Sequence, residues 1–284
     1  MQEINETPWN GYKVVSTFSG CGGSCLGYRM AGYKVVWANE INSHAQATYL
    51  ANKADDSYLD LRDIRDVKAT EILETTGLKE GELDLFDGSP PCQAFSTVGQ
   101  MAKHWHKEKD YGGEPQRNVT MFEEHLRLLR GLMPKTFIAE NVSGLYKGVN
   151  KGMFFEILAN LKASGYKVTC KLLDASWLGV PQKRERTIFM GVREDLGIAP
   201  VFPSPLPHRY TVANALPWIQ EITTSGVSRG FTMAELKRLC SFPDDFKLLG
   251  GKVASWKVLG NSVPPVMMYH VASAVRDKVL NEIK

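Results

Sequence analysis

Along the first 193 residues, short runs of β-branched and apolar side chains alternate with stretches whose apolar positions recur three or four residues apart. The runs at 12–17 (YKVVST), 34–38 (KVVWA), 83–87 (LDLFD), 136–139 (TFIA), 166–173 (YKVTCKLL) and 187–192 (TIFMGV) read as strands, and 43–52, 66–75, 119–132 and 153–164 as helices. This alternation predicts an α/β fold: a mostly parallel, doubly wound sheet with helices on both faces. From 194 the texture changes, because Pro200, Pro203, Pro205, Pro207 and Pro217 punctuate a stretch too rich in proline for long regular elements. Beyond it, 232–241 reads as a helix with Thr232 as N-cap and Glu235 closing a capping box. The stretch 264–280 reads as a helix with Pro264 and Pro265 in its first turn. We expect that last helix to pack back onto the first lobe, so that 1–193 and 261–284 form one unit and 194–260 a small second one.

Composition narrows this only a little. The 284 residues are 43% hydrophobic and 23% charged, a balance suited to a globular protein with one sizeable core and a smaller lobe. No apolar run approaches the ~20 residues of a membrane span. The start, MQEINETPWNGY, has neither the basic nor the apolar region of a secretory signal, so an intracellular, cytoplasmic location is expected. Five cysteines, at 21, 25, 92, 170 and 240, are scattered without a disulfide rhythm and read as reduced thiols. A net charge of +3 permits an anionic partner without requiring one.

Two places carry chemistry. Phe18-Ser-Gly-Cys-Gly-Gly23 lies between a predicted strand and a predicted helix, where Gly20, Gly22 and Gly23 let the backbone turn sharply and approach a ligand. Glu40 ends the second strand about twenty residues later, where nucleotide-binding α/β folds set a carboxylate against ribose hydroxyls. Alone, the pair is equally a tight structural turn beside a surface acid. The second place is Asp87-Gly-Ser-Pro-Pro-Cys-Gln93, in which two prolines stiffen the backbone just before Cys92 at the end of a strand. A lone cysteine is more often a small buried hydrophobe, but a rigidly presented thiol is what a nucleophile needs.

Taken together, these segments resemble the DNA (cytosine-5) methyltransferase family of bacterial and phage type, across nearly the whole chain and in the family's motif order. Phe18 to Gly23 is similar to its first cofactor motif, Glu40 to its second, Arg62-Asp-Ile64 to its third, Pro91-Cys-Gln93 to its nucleophile motif and Glu140-Asn-Val142 to its acid motif. Gln182-Lys-Arg-Glu-Arg186 resembles the eighth motif, Arg229 to Glu235 the ninth and Gly260-Asn-Ser-Val263 the tenth.

The resemblance implies a Rossmann-like methyltransferase sheet with a reduced target-recognition lobe, S-adenosylmethionine as cofactor, double-stranded DNA as partner and a cytosine flipped out of the stack. Cys92 is the implied nucleophile at carbon 6, and Glu140 the acid at ring nitrogen 3. Arg186 and Arg184 are implied to hold the base, with Asn141 ordering the acid loop. For the cofactor it implies Phe18 against the adenine, the 20–23 loop including Cys21 around the ligand, Glu40 on the ribose and Asp63 on the adenine amine. Ile41, Ile64 and Met121 are implied to line the pocket, Ser89 and Pro91 to lie near the methionine moiety, and Asn261 and Val263 to close it. Gln93, together with Ser96, Val98, Lys103 and His104 in the segment 94–118 that covers the flipped base, and Gln182 are expected to face nucleic acid. Gly99, Gly112 and Gly113 are candidate hinges. No metal is expected, since His104 and His106 belong to no ligand set with convincing spacing. No residue pattern points to a protein partner.

Related DNA enzymes commonly place a long recognition region between the eighth and ninth motifs. Here 194–230 offers 37 residues, counted inclusively, much of it the approach segment 202–219. So small a lobe has few side chains for bidentate base-edge contacts, which predicts a short or relaxed recognition sequence. It also keeps a transfer-RNA cytosine-5 methyltransferase in view, whose target is already splayed in a loop. Against that branch, the chain lacks its Cys-Phe-Thr signature. A degenerate, non-catalytic nucleic-acid-binding subunit would have lost Cys92, Glu140 or the glycine loop, and all three are present.

Overall fold

The computed structural model describes all residues except 55, 92–108, 112–113, 117, 148–150, 220–228 and 284, and only the backbone of 109–111, 114–116, 118–120 and 151. Its centre is a seven-stranded sheet built from β1 (Lys13–Thr17), β2 (Lys34–Asn39), β3 (Tyr58–Asp60), β4 (Leu85–Gly88), β7 (Thr136–Val142), β8 (Tyr166–Asp174) and β9 (Glu185–Arg193), while β5 (Lys109–Tyr111) and β6 (Glu114–Gln116) form a separate antiparallel pair. The order across the sheet is β3-β2-β1-β4-β7-β9-β8, parallel except for β9, which runs against both β7 and β8. The chain winds outward from β1 to β3, then returns to place β4 on the other side of β1. Between β1 and β4 lies the point where winding reverses, and there open α/β sheets bind ligands outside the carboxyl ends of their strands.

Alternation along the strands builds two cores. Val14, Leu85, Ile138 and Ile188 point to one face, beneath the helices Gly23–Met30 and Pro265–Lys278, whose Tyr28, Met267, Met268 and Val271 are fully buried. Val15, Phe86, Phe137 and Phe189 point to the other, against the helices Ala69–Thr76, Asn118–Leu132 and Lys151–Ala163 through Ile72, Leu128, Leu129 and Leu161. Two covered faces explain why these strands read as nearly continuous apolar runs. The C-terminal helix meets the helix Gly23–Met30 at Gly27, where a Cβ would stand 2.5 Å from the Pro265 carbonyl oxygen.

The predicted strands and helices correspond to observed ones, several short elements went unpredicted, and three differences bear on the site. β7 continues through Glu140 and Asn141, which the pattern placed after the strand, because antiparallel pairing to β9 (Glu140 opposite Ile188, Asn141 opposite Thr187) extends it. β3 is only three residues long, too short to show a period. The helix Lys252–Asn261 went unpredicted because its apolar and polar positions do not segregate cleanly. The capping box is present, with Glu235 N donating to Thr232 Oγ1 at 3.2 Å and Thr232 N to Glu235 Oε2 at 2.8 Å.

Residues 240–259 are seated directly on the first lobe. Cys240, Phe242, Phe246 and Leu259 share a third cluster with Cys21 and Leu26. Asn52 clamps Lys247, its Nδ2 donating to the Lys247 carbonyl at 2.7 Å and its Oδ1 accepting from the Lys247 N–H at 2.8 Å. Phe202 belongs to the first core.

Candidate active site

After β1 the chain turns through left-handed backbone at Phe18 (φ 54°), Gly20 (φ 56°) and Gly22 (φ 92°) and enters the helix Gly23–Met30. Phe18 bears a side chain in a conformation that disfavours one. Glu40 staples this loop to the end of β2, since Oε2 accepts from the Gly20 N–H and Oε1 from the Asn42 N–H, each at 2.7 Å. Burial pushes the Glu40 carboxyl above its ordinary value, and the N–H donors pull the other way. The Ile41 N–H is also directed at this carboxylate, and of its about four acceptor positions room is left for a hydroxyl. Among the described residues a Cβ on Gly20 would meet nothing within 4 Å, so they leave the space over the loop open. Half-buried Ile41 and buried Ile64 and Met121 supply apolar surface nearby in the fold. An open turn, a carboxylate with spare acceptors and a half-buried aromatic ring fit an adenosyl group.

Asp63 is already engaged. It caps the turn Ile64–Asp66 and accepts from Arg65 at its backbone N–H (3.0 Å) and Nε (3.0 Å), and the guanidinium holds its carboxyl below the ordinary range. A role toward an amine would use its remaining lone pairs. From the far end of the chain, Ser262 Oγ lies 3.0 Å from Cys21 Sγ, and a Cβ on Gly23 would be 2.2 Å from the Val263 carbonyl oxygen. Only glycine fits there. Val263 is buried, whereas Asn261 is exposed at the end of its helix.

The other half of the site follows β4. A Cβ on Gly88 would be 2.4 Å from His125 Nδ1, so β4 runs tight against the buried imidazole before Ser89, Pro90 and Pro91 turn out. Ser89 and Pro91 are half-buried and Pro90 is buried. Asn141 Nδ2 donates to the Pro90 carbonyl at 3.4 Å, and its Oδ1 accepts from the Val142 N–H at 2.9 Å, which ties the end of β7 to this turn. Glu140, one residue earlier, is buried and accepts a 2.6 Å contact from Arg186 Nε on the neighbouring strand β9. Arg186 lines a cleft of about 350 Å³ with Ser143, Gln182, Lys183, Arg184 and Glu185, and Gln182 Oε1 is buried without a partner among the described residues.

Arg184 is placed differently from its neighbour. Its Nη2 donates to the carbonyls of Gly260 and Ser262, both at 2.7 Å, and its buried Nε has no partner among the described residues. Burial, with Arg186 close by, pushes the guanidinium down to about 10. The residue expected to hold a base is thus joined to the segment that closes the cofactor loop. Ser262, quoted in its motif but given no role there, is one residue that pattern reading missed. Asp87, buried between Ser16 Oγ (2.8 Å) and Tyr28 OH (2.9 Å), is another, and burial raises its carboxyl to about 7.

Cys92, Gln93, Ser96, Val98, Lys103 and His104 lie outside the described residues. The four described thiols are poor nucleophiles. Burial raises Cys21 and Cys170 to about 12 and Cys25 to about 11, and it raises Cys240 as well. Among the described residues, no cluster of three or more His, Cys, Asp or Glu could hold a metal ion, and no helix is long and apolar enough to cross a membrane.

A family model described as C-5 cytosine-specific DNA methylase matches residues 12–224 and 215–277. The chain is 34% identical over 203 residues to the type II methyltransferase M.NgoPII of Neisseria gonorrhoeae, an alignment covering 72% of this chain but only 54% of that one. It is 28% identical over 338 residues to the type II methyltransferase M1.HphI of Haemophilus parahaemolyticus, covering 94% and 87% of the two chains. A solved E. coli structure, described as a DNA modification methyltransferase encoded within a prophage, superposes with a TM-score of 0.75 over 95% of this chain and 100% of its own. At 21% identity that likeness speaks to the fold alone.

Proposed function

Because the chain belongs to the C-5 cytosine-specific DNA methylase family, we propose that it transfers a methyl group from S-adenosylmethionine to carbon 5 of a cytosine in double-stranded DNA. The observation that carries this reading is the meeting of three elements at the switch point. The Glu140–Arg186 pair joins the last residues of β7 to the first of β9, Asn141 reaches the Pro90 carbonyl of the turn leading to Cys92, and the Phe18–Gly23 loop follows β1, the other neighbour of β4.

Cytosine carbon 5 is a poor nucleophile, so the ring must first be enriched in electrons. Cys92 does this as a thiolate by bonding to carbon 6, which drives electron density toward carbon 5 and nitrogen 3. Glu140 meets the charge at nitrogen 3 with a proton or a strong hydrogen bond. Arg186, already 2.6 Å from Glu140, sets that carboxyl and turns its remaining donors toward the base carbonyl. The bound cofactor supplies an electrophilic methyl group. Loss of the carbon 5 proton and departure of Cys92 from carbon 6 then restore the aromatic ring.

In this reading 1–193 and 261–284 form the catalytic unit, and 194–260 is a small recognition lobe that reads a short or relaxed sequence. Within it, Arg229 Nη2 pairs with Glu235 Oε1 at 2.7 Å and Trp218 Nε1 donates to the same oxygen at 3.1 Å. The protein is taken to act in the cytoplasm of a bacterial or phage-infected cell.

The test is incubation with tritiated-methyl S-adenosylmethionine and, separately, mixed-sequence duplex DNA and total transfer RNA, with Cys92→Ser as control. Cys92-dependent label in DNA is expected. Label confined to RNA would replace this reading with the transfer-RNA one, and label in neither would leave a missing partner or a binding role.

A further inference from the structure

The helix Lys252–Asn261 is buried along one side only. Ser255 and Leu259 face the protein, whereas Val253 is 69% and Trp256 61% exposed. Lys257 and Gly260 are exposed as well, so positions 253, 256, 257 and 260 form one stripe at helical spacing, with exposed Lys252 at its head. Lys247 and Leu249 extend the patch beyond the helix. A single exposed apolar side chain needs no explanation, but a tryptophan and a valine one turn apart, flanked by lysines, mark a contact surface.

Charge says what kind of contact. Residues 246–261 contain no aspartate or glutamate. The acids just before them are committed elsewhere, Asp244 to Arg238 and Asp245 to the N-terminal ammonium, each at 2.5 Å. Position narrows it further. The stripe ends at Gly260, whose carbonyl is held by Arg184 in the wall of the cleft that also contains Lys183 and Arg186. Arg184 therefore joins the cleft, whose lining carries three cations and one acid, Glu185, to the end of the helix. Ten residues of α-helix span about 15 Å, which at about 3.4 Å of rise per phosphate on one strand faces roughly four phosphates.

We propose that Lys252, Trp256 and Lys257 form a backbone-gripping surface for the DNA duplex beside the target cytosine, an inference that rests on the function proposed above. The lysines neutralise phosphates, and the indole lies along the sugar edge with its N–H available to a phosphate oxygen. Such contacts read no sequence. They hold the duplex in register over the cleft, a task for which 194–230 has few residues to spare.

The experiment measures duplex affinity by fluorescence anisotropy against salt, for wild type, Lys252→Ala/Lys257→Ala and Trp256→Ala, with S-adenosylmethionine affinity as the check of folding. Each phosphate contact adds about 0.9 to the slope of log affinity against log salt, or about 3.5-fold between 50 and 200 mM. The double variant should therefore lose roughly tenfold of the wild type's salt sensitivity over that range while binding cofactor normally, and Trp256→Ala should weaken binding with the slope unchanged. An unaltered slope in the double variant, on a duplex that the wild type methylates, would overturn this proposal and leave the function standing. Failure of the wild type to bind or methylate any duplex would take down both. Concentration-dependent dimers abolished by Trp256→Ala, with DNA affinity untouched, would assign the face to a second copy instead.

Discussion

Replacing Arg184 by methionine separates two roles that lie side by side in the Gln182–Arg186 run. The variant keeps much of the aliphatic stem but loses the Nη2 that donates to the Gly260 and Ser262 carbonyls at 2.7 Å. Two charge-assisted hydrogen bonds contribute about 1.5–3 kcal/mol each. Against them stand the desolvation of the guanidinium and its unpartnered buried Nε, a cost of about 1–3 kcal/mol for one unsatisfied group. A net loss of about 2 kcal/mol follows, and it falls on the segment that presses Val263 against Gly23 and Ser262 against Cys21. Expressed wholly in cofactor binding, it is about a thirtyfold rise in the S-adenosylmethionine Kd. Isothermal titration of Arg184→Met should show a rise of about ten- to thirtyfold, while Arg186→Met, whose partner is Glu140, should bind cofactor almost as wild type and lose turnover. An unchanged cofactor Kd in Arg184→Met, with turnover lost, would refute this reasoning and return Arg184 to the base.

Covalent catalysis predicts that duplex containing 5-fluorocytosine forms a denaturation-resistant adduct with the wild type and none with Cys92→Ser, because fluorine does not leave as a proton does; denaturing gels decide it, and a methylated duplex without an adduct would remove the assigned mechanism. Asp87 carries a pH signature: its carboxyl is raised to about 7 in the fold, against about 3.9 in an unfolded chain. Its contribution is therefore fully present below about pH 4 and lost as pH rises through about 7, with a slope of at most about 1.4 kcal/mol per pH unit. Thermal melts between about pH 5 and 8 should fall less steeply for Asp87→Asn than for wild type, and parallel profiles would deny the raised carboxyl. Methylation mapping on random-sequence duplexes should return a short or degenerate site, whereas a strict site of about six base pairs would contradict weak readout by the small lobe.

The sheet was legible because its strands are covered on both faces, so that Val14-Val15, Leu85-Phe86 and Phe137-Ile138 all had to be apolar. Elements whose form depends on a distant neighbour were not. Glu140 and Asn141 are strand residues only because β9 comes back antiparallel along β7, and nothing within 136–142 encodes that pairing. The helix Lys252–Asn261 leaves Val253 and Trp256 in solvent, so its apolar residues do not fall on one face and its period is masked. A helix whose exposed face meets a partner violates the inside–outside rule by which helices are recognised.

The site divides along the same line. Glycines where φ is positive or a Cβ would collide, an acid at a strand end and a cysteine after two prolines are demands on residue type, and residue type is what a sequence records. Arg184 makes the contrast plain. In a run of five residues it is chemically equivalent to Arg186, and the two flank the same Glu185. One meets a carboxylate, which has a letter in the sequence; the other meets two main-chain carbonyls 76 and 78 residues away, which have none. Backbone acceptors are present at every position, so a side chain that serves them is identified only when folding shows which carbonyls lack a helical partner. Gly260 and Ser262 lie at the end of the helix Lys252–Asn261, where such orphan carbonyls must occur. Arg184 is therefore tied to the end of a helix that the pattern did not predict, and this contact could not be read before that helix was known.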